Sequence, residues 1–425
     1  MSMSRSILVL AFLLVPGISA RGQRPPEVSA DNGNAVLVKK VEELQNQVRD
    51  LQQRLDEISP PPPSDGVEQP VSRALSKPEE APAETNSVDQ SAPDVPRLSV
   101  QGINIRAFGQ AQYTADDLHG DRPDLSIGNL TLLMTSELSN HLSALAELAF
   151  DEADYGAPSF SVDVERLLLQ YQQSDYFKIA AGRYFTSIGY YNTAFYNADW
   201  AQTTMRRPGI VAFMDQGGIL PTQRNGVTAT GRLSSSELGL HYVAEVGTGD
   251  LQRTDLMGDE FFYQARTAYN LAMFVRPERI RGLQAGGSYY HDTILPTANG
   301  TTMAIVRQSI YSSYAVYTTP LWECLNEAYL IHHAVVNSRT YNTPAFYSQI
   351  SRRLTNSIRP YFRYTWINAA DSNPVFPDVR QSRGPETGVR YNFSEWVGLK
   401  TEYNRLDVRG FPAINLIGSQ LVFTF

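Results

Sequence analysis

Residues 415–425 read NLIGSQLVFTF. On an extended chain successive side chains point to opposite faces. Ile417, Ser419, Leu421, Phe423 and Phe425 therefore share one face, and Gly418, Gln420, Val422 and Thr424 share the other. A mostly apolar, aromatic face backed by small and polar residues suits a strand with lipid on one side and a wet interior on the other. An ordinary edge strand ending in Phe would look the same, so the residues upstream have to decide.

Upstream, the same alternation recurs. Read with its turn signals, it predicts strands at 100–114, 125–138, 142–150, 162–172, 176–184, 225–233, 236–248, 262–275, 282–291, 304–317, 324–337, 343–352, 358–368, 384–393, 396–406 and 416–425, sixteen in all. Short connections at 139–141, 173–175, 234–235 and 394–395 alternate with longer ones at 115–124, 151–161, 249–261, 292–303 and 369–383. Membrane barrels show that asymmetry on an even number of strands. The fold class expected is all-β, a transmembrane antiparallel β-barrel of about 16 strands over 98–425. Trp322, Trp366 and Trp396, with Tyr171, Phe177, Phe393 and Tyr403, fall near strand ends, where interfacial girdles form. The terminal strand ending in Phe425 resembles the signal of bacterial outer-membrane barrels that their assembly machinery reads.

The N-terminal residues set the compartment. Arg5 precedes an apolar run over 7–15, then Pro16, Gly17, Ser19 and Ala20, which is the order of a secretory signal peptide spanning 1–20. Its apolar run is too short to cross a bilayer. The single cysteine, Cys324, excludes an intrachain disulfide. Leu37, Val41, Leu44, Val48, Leu51, Leu55 and Ile58 then step by four and three, a heptad seam. A periplasmic coiled-coil helix is expected over 34–59, and the Pro, Ser and Glu-rich residues 60–97 are expected to be a linker. So short a helix is marginal alone, and the seam implies an oligomer, a homotrimer being one form it allows.

With 23 Tyr, 18 Phe and a net charge of −8 spread along 425 residues, the composition suits a barrel and disfavours nucleic acid. Charges facing lipid at mid-depth cost about 2–4 kcal/mol. Alternation therefore turns Arg106, Arg166, Arg266, Arg307, Arg353, Arg359, Arg363, Arg390 and Lys400 inward, against Glu137, Glu147, Glu245, Glu386 and Glu402. Such a basic excess would favour anions, or it would merely shape a transverse field with acids on the loops.

Residues 185–224, FTSIGYYNTAFYNADWAQTTMRRPGIVAFMDQGGILPTQR, separate the fifth and sixth strands. A connection of about 40 residues in a compact domain points to function. It is expected to fold into the lumen, with Tyr190, Tyr191, Tyr196 and Trp200 packing on the wall or forming a sugar-stacking track. Asp199 and Asp215 are expected to pair with wall arginines, leaving Arg206, Arg207 and Arg224 on the passage.

The passage AGRYFTSIGYYNTAFYNADWAQTTMRRPGI resembles the corresponding region of outer-membrane porins related to the phosphate-selective porin family, where a Gly-Arg pair ends the strand and a Gly-Tyr loop follows. In architecture the resemblance, to trimeric 16-stranded porins, covers most of 98–425. It implies passive diffusion of small hydrophilic solutes or ions. The dense lysine cluster of a dedicated phosphate channel is absent, so phosphate specificity is not implied.

None of the six histidines stands in a Ser, His and acid motif, and His332 and His333 face opposite sides of one strand. No enzyme activity, cofactor or metal is expected. The expected location is the outer membrane, with outer-membrane lipid around the barrel and a stalk in the periplasm. The alternative reading makes the barrel an anchor whose stalk links the envelope to peptidoglycan.

Overall fold

The computed structural model describes residues 98–100, 102–117, 123–152, 160–195, 199–233, 237–254, 260–298 and 301–425. The expected signal peptide, the coiled-coil helix and the linker lie outside the described residues.

Sixteen antiparallel strands close into a barrel. They are β1 (Ile103–Asp116), β2 (Asn129–Ser139), β3 (Leu142–Glu152), β4 (Phe160–Ser174), β5 (Phe177–Phe185), β6 (Gln223–Arg232), β7 (Leu240–Thr248) and β8 (Ala268–Val275). There follow β9 (Leu283–Ala298), β10 (Val306–Thr318), β11 (Trp322–Val335), β12 (Thr340–Arg352), β13 (Ile358–Asn368), β14 (Gln381–Asn392), β15 (Val397–Val408) and β16 (Ile414–Thr424). Each pairs with its sequence neighbours, and β16 pairs with β1 from Phe108↔Thr424 to Asp116↔Leu416. Every expected strand has a counterpart. Closure leaves no unpaired edge, which the interior of a bilayer requires.

Period-2 burial runs along the strands. In β16, Gly418, Gln420, Val422 and Thr424 are buried in the lumen, while Ile417 and Leu421 are exposed outside. Two irregularities change faces. β4 bulges opposite Glu147 and Leu148, inserting Glu165 between Val164, which faces out, and Arg166, which faces in. The eighth strand is also interrupted. Its upper part, Glu260–Ala265, pairs with β9 and forms a hairpin with Leu251–Thr254, but the register slips by one residue before β8 resumes at Ala268. A slip of one residue reverses which face each side chain takes.

The outer surface is aromatic near both rims: Tyr171, Phe177, Tyr317 and Phe393 are exposed at the short-turn end, and Tyr269, Tyr289 and Tyr311 towards the long-loop end. Two loops fold inward. One joins β5 to β6. The other, residues 369–380, buries Asn373, Val375 and Phe376. His333, fully buried in the lumen, bonds to Asn373 and Gln308 at 3.0 and 2.7 Å and packs on Phe376. His333 is thus a packed lumen residue, neither solvated nor part of an interfacial girdle.

Candidate pore constriction

The segment between β5 and β6 has internal structure: the single turn α1 (Tyr191–Ala194) and two 3₁₀ turns, Asp199–Ala201 and Met214–Gln216. Its apolar side chains Ile188, Tyr191, Ile210, Val211, Ile219 and Leu220 pack on Tyr290, Ile310, Tyr314, Leu325, Tyr329 and Tyr347 of β9 to β12. Burial of each large aliphatic side chain contributes about 1.5–3 kcal/mol. Inside this barrel, the lumen face of β9 to β12 thus carries an apolar patch because a loop covers it.

Buried carboxylates hold the loop's N–H groups. Glu245 accepts from the Ser187 amide and hydroxyl, at 3.0 and 2.7 Å. Glu327 accepts from the Tyr190 and Tyr191 amides at 2.6 and 2.9 Å, and from the Tyr329 and Tyr347 hydroxyls. Glu402 accepts from the Met205 amide at 3.1 Å, and Glu323 from the Thr203 hydroxyl at 3.1 Å. Gly189 is needed beside Glu327: its φ is +79°, and a Cβ there would overlap Glu327 Oε2 and the Tyr329 hydroxyl.

Cations on the facing wall hold the carbonyls. Lys400 Nζ donates to Asp199 O and Thr204 O at 2.6 and 2.9 Å. Arg390 donates to Trp200 O and Gln202 O at 2.7 and 2.8 Å. Arg363 donates to Arg206 O at 2.9 Å and bridges to Glu386. Hydrogen bonds to charged groups contribute about 1.5–3 kcal/mol each, so this double set of clamps fixes the loop backbone.

This arrangement corrects several expectations. Arg363 and Lys400 are fully buried against the loop rather than facing the passage, and Arg390 is spent on loop carbonyls. Arg207 is also buried: it donates to Val211 O, Phe195 O and Asn192 Oδ1 and lies 4.3 Å from the Phe213 ring centroid. Burial lowers its pKa, with the opposing pull of Tyr191 next in size. Arg224 is buried as well, bonded to Tyr290 and Asp292. Arg266 and Arg307 point outward and are exposed. Asp199 accepts from the amides of Gln202 and Gln420, each at 3.2 Å, rather than from an arginine. Asp215 has no ion pair among the described residues.

Of the others, Arg106 takes the lumen face of β1 with Phe108 and Gln110, half-buried. Arg166 is buried against Glu147 at 2.5 Å and lies over the Phe185 ring. Arg359 faces the lumen near the short-turn end, donating to Ser351 Oγ at 3.4 Å, and Arg353 is exposed at the adjoining turn. Tyr190 and Tyr191 form loop core with Phe195 rather than a free track. Tyr196 lies outside the described residues. Arg206 is the loop arginine whose side chain is exposed.

The exposed charges that alternation did not bring out are acidic. Asp163 and Asp215 are exposed, and Asp151 and Glu165 are half-buried on the lumen side of β3 and β4. Asp215 is reached by solvent yet walled in by protein. That desolvation raises its pKa, and Asp163 nearby pushes in the same direction. Glu165 accepts from Gln223, which in turn accepts from Arg183 at 2.6 Å. The missed clamps had a signal: Glu323 and Glu327, four apart inside one strand, share a face.

A closed barrel of sixteen strands with a long loop bolted across its lumen has the architecture of the outer-membrane porins. Among solved structures, the outer-membrane channel DcaP of Acinetobacter baumannii aligns with TM-score 0.53 at 9% identity, over 78% of this chain and 100% of that one. The anion-selective porin from Comamonas acidovorans aligns with TM-score 0.52 at 12% identity, over 76% and 99%. The trimer form of OmpT, an outer membrane protein of Vibrio cholerae, aligns with TM-score 0.50 at 14% identity, over 76% and 100%. No family sequence model and no curated protein matches the chain.

Proposed function

We propose that this protein is an outer-membrane porin through which small hydrophilic solutes diffuse passively, its long-loop end external. The observation that carries the reading is the 185–224 segment, folded across the lumen and fastened by carboxylates on its N–H groups and cations on its carbonyls. A barrel serving only as an anchor has no use for so defined a constriction. Conductance of the purified protein in a planar bilayer tests this: discrete open channels are expected, and a silent bilayer would leave the anchor reading standing.

An anion preference was expected from the wall arginines. Arg363, Arg390 and Lys400 are committed to the loop and to Glu386, and Arg266 and Arg307 face outward. Asp151, Asp163 and Asp215 remain beside the loop on the β3 and β4 side, so we read this level of the passage as favouring cations. Reversal potential in a KCl gradient decides the sign, and an anion preference would defeat the reading. Homotrimerisation, recognition of the strand ending at Phe425 by the assembly machinery, and contact of the stalk with peptidoglycan belong to the same proposal. The architecture shared with porins supports the first two, and the heptad seam supports the third.

A further inference from the structure

Two arginines that face outward share one row of the barrel wall. The Arg266 amide donates to Thr293 O at 2.9 Å, and Thr293 is the cross-strand partner of Arg307. Two strand spacings, about 10 Å, thus separate the backbones of Arg266 and Arg307. Guanidinium groups from either side of Thr293 can reach one group held between them.

The next row towards the short-turn end runs Tyr269, His291, Ser309, His332 and Asn342 across five strands. Here His291 bonds to Ser309 at 3.0 Å and His332 to Asn342 at 2.7 Å. Exposed Tyr289 and Tyr311, ring centroids 5.2 Å apart, lie one row further. The order from the long-loop end is therefore charge, polar ring, aromatic girdle. An outward arginine costs about 2–4 kcal/mol at the midplane and about 0–1 near an interface, which places the Arg266 and Arg307 row at the headgroup level.

Three other outward arginines near this end are neutralised. Arg383 and Arg405 lie 3.7 and 3.5 Å from Asp407, and Arg409 lies 2.6 Å from Asp371. Among the described residues no carboxylate pairs with Arg266 or Arg307, and neither of the two rows contains one. Guanidinium groups match phosphate geometry in two parallel hydrogen bonds.

We propose that Arg266, Thr293 and Arg307 form a docking site for the phosphate-bearing headgroup of an anionic lipid in the external leaflet, with its acyl chains lying along the Tyr289 and Tyr311 girdle. The site rests on the barrel's place in the outer membrane and not on conduction.

The test is native mass spectrometry of the full-length protein in detergent, titrated with diphosphorylated lipid A and with the same lipid dephosphorylated. The double variant R266Q/R307Q, whose changes are exposed, is compared with R383Q/R405Q. Near a surface each basic charge is worth about a fivefold change in lipid affinity, so R266Q/R307Q is expected to bind the phosphorylated lipid at least tenfold more weakly. Wild type should discriminate between the two lipids, and R383Q/R405Q should match wild type. Equal binding by R266Q/R307Q and wild type would overturn the site. So would displacement of the lipid by equimolar inorganic phosphate, which marks a free-ion site, or an altered oligomer with lipid binding intact, which marks a subunit contact. Single-channel conductance of R266Q/R307Q should be unchanged, which separates failure of this site from failure of the porin reading.

Discussion

Substitution of Glu327 by Gln should loosen the constriction while leaving the barrel intact. The carboxylate accepts four hydrogen bonds, from two loop amides and two wall tyrosines. A Gln amide keeps a single acceptor oxygen, so one of the two loop amides faces an NH₂ and loses its acceptor, while the tyrosine hydroxyl on that side can turn and accept. At about 1.5–3 kcal/mol for a bond to a charged group, the loop's attachment weakens by roughly 1.5–3 kcal/mol. Even the lower figure raises the share of detached loop about tenfold. The expected outcome in a planar bilayer is larger and noisier single-channel conductance, and larger sugars should enter in liposome swelling. The strand ladder is untouched, so unheated E327Q should keep the electrophoretic mobility of a folded barrel. A folded E327Q with the conductance, noise and size cut-off of wild type would refute the claim that this carboxylate holds the loop.

Removing one partner of a buried ion pair costs about 3–5 kcal/mol because the other charge is left unpaired. R363M should therefore lower the thermal unfolding midpoint more than R363M/E386M does, read by heating scans; equal losses would count against a buried bridge. D163N and D215N should each shift the KCl reversal potential towards anions by several millivolts, whereas D371N, out on an exposed ion pair, should not. Asp215 has a raised pKa, so it keeps its proton at higher pH than an ordinary carboxylate. Cation preference should accordingly decline as pH falls, beginning above the usual carboxylate range, and this early decline should be smaller in D215N. Deletion of residues 37–58 should weaken oligomer assembly or sacculus binding, and a variant unchanged in both would remove the role assigned to the heptad seam.

The barrel was legible because two-residue alternation and turn length are local properties. Residues 415–425 and the run at 358–366 each declared their faces without help from distant contacts. The long segment at 185–224 was legible by length alone. Alternation failed where a distant part of the chain changed the environment. On β10 and β11 the polar-inside rule would turn Ile310, Val316, Leu325 and Ile331 towards lipid, yet they face the lumen because the loop covers them. Ser313 and Asn326 accordingly face out, and Arg307 goes with them. Arg266 was misassigned because of the one-residue slip before β8, which no composition rule announces. The roles of Arg363, Arg390 and Lys400 were out of reach for a different reason: their partners are backbone carbonyls more than 150 residues away in sequence, and a carbonyl carries no sequence signature.

The seam between β1 and β16 bears on how the protein reaches this state. The Thr424 hydroxyl donates to Ala107 O across 317 positions of chain. Loop-closure entropy has to be met before such a contact returns anything, which makes folding of this topology slow. Until β16 is in place, β1 carries a row of unpaired amides and carbonyls, a template for pairing with another chain. The outward faces of fourteen intervening strands are meanwhile apolar in water. Folding yield should thus depend on keeping chains apart during assembly: in refolding into detergent, the fraction recovered as closed barrel should fall steeply with protein concentration, although the finished ring offers no edge to a neighbour.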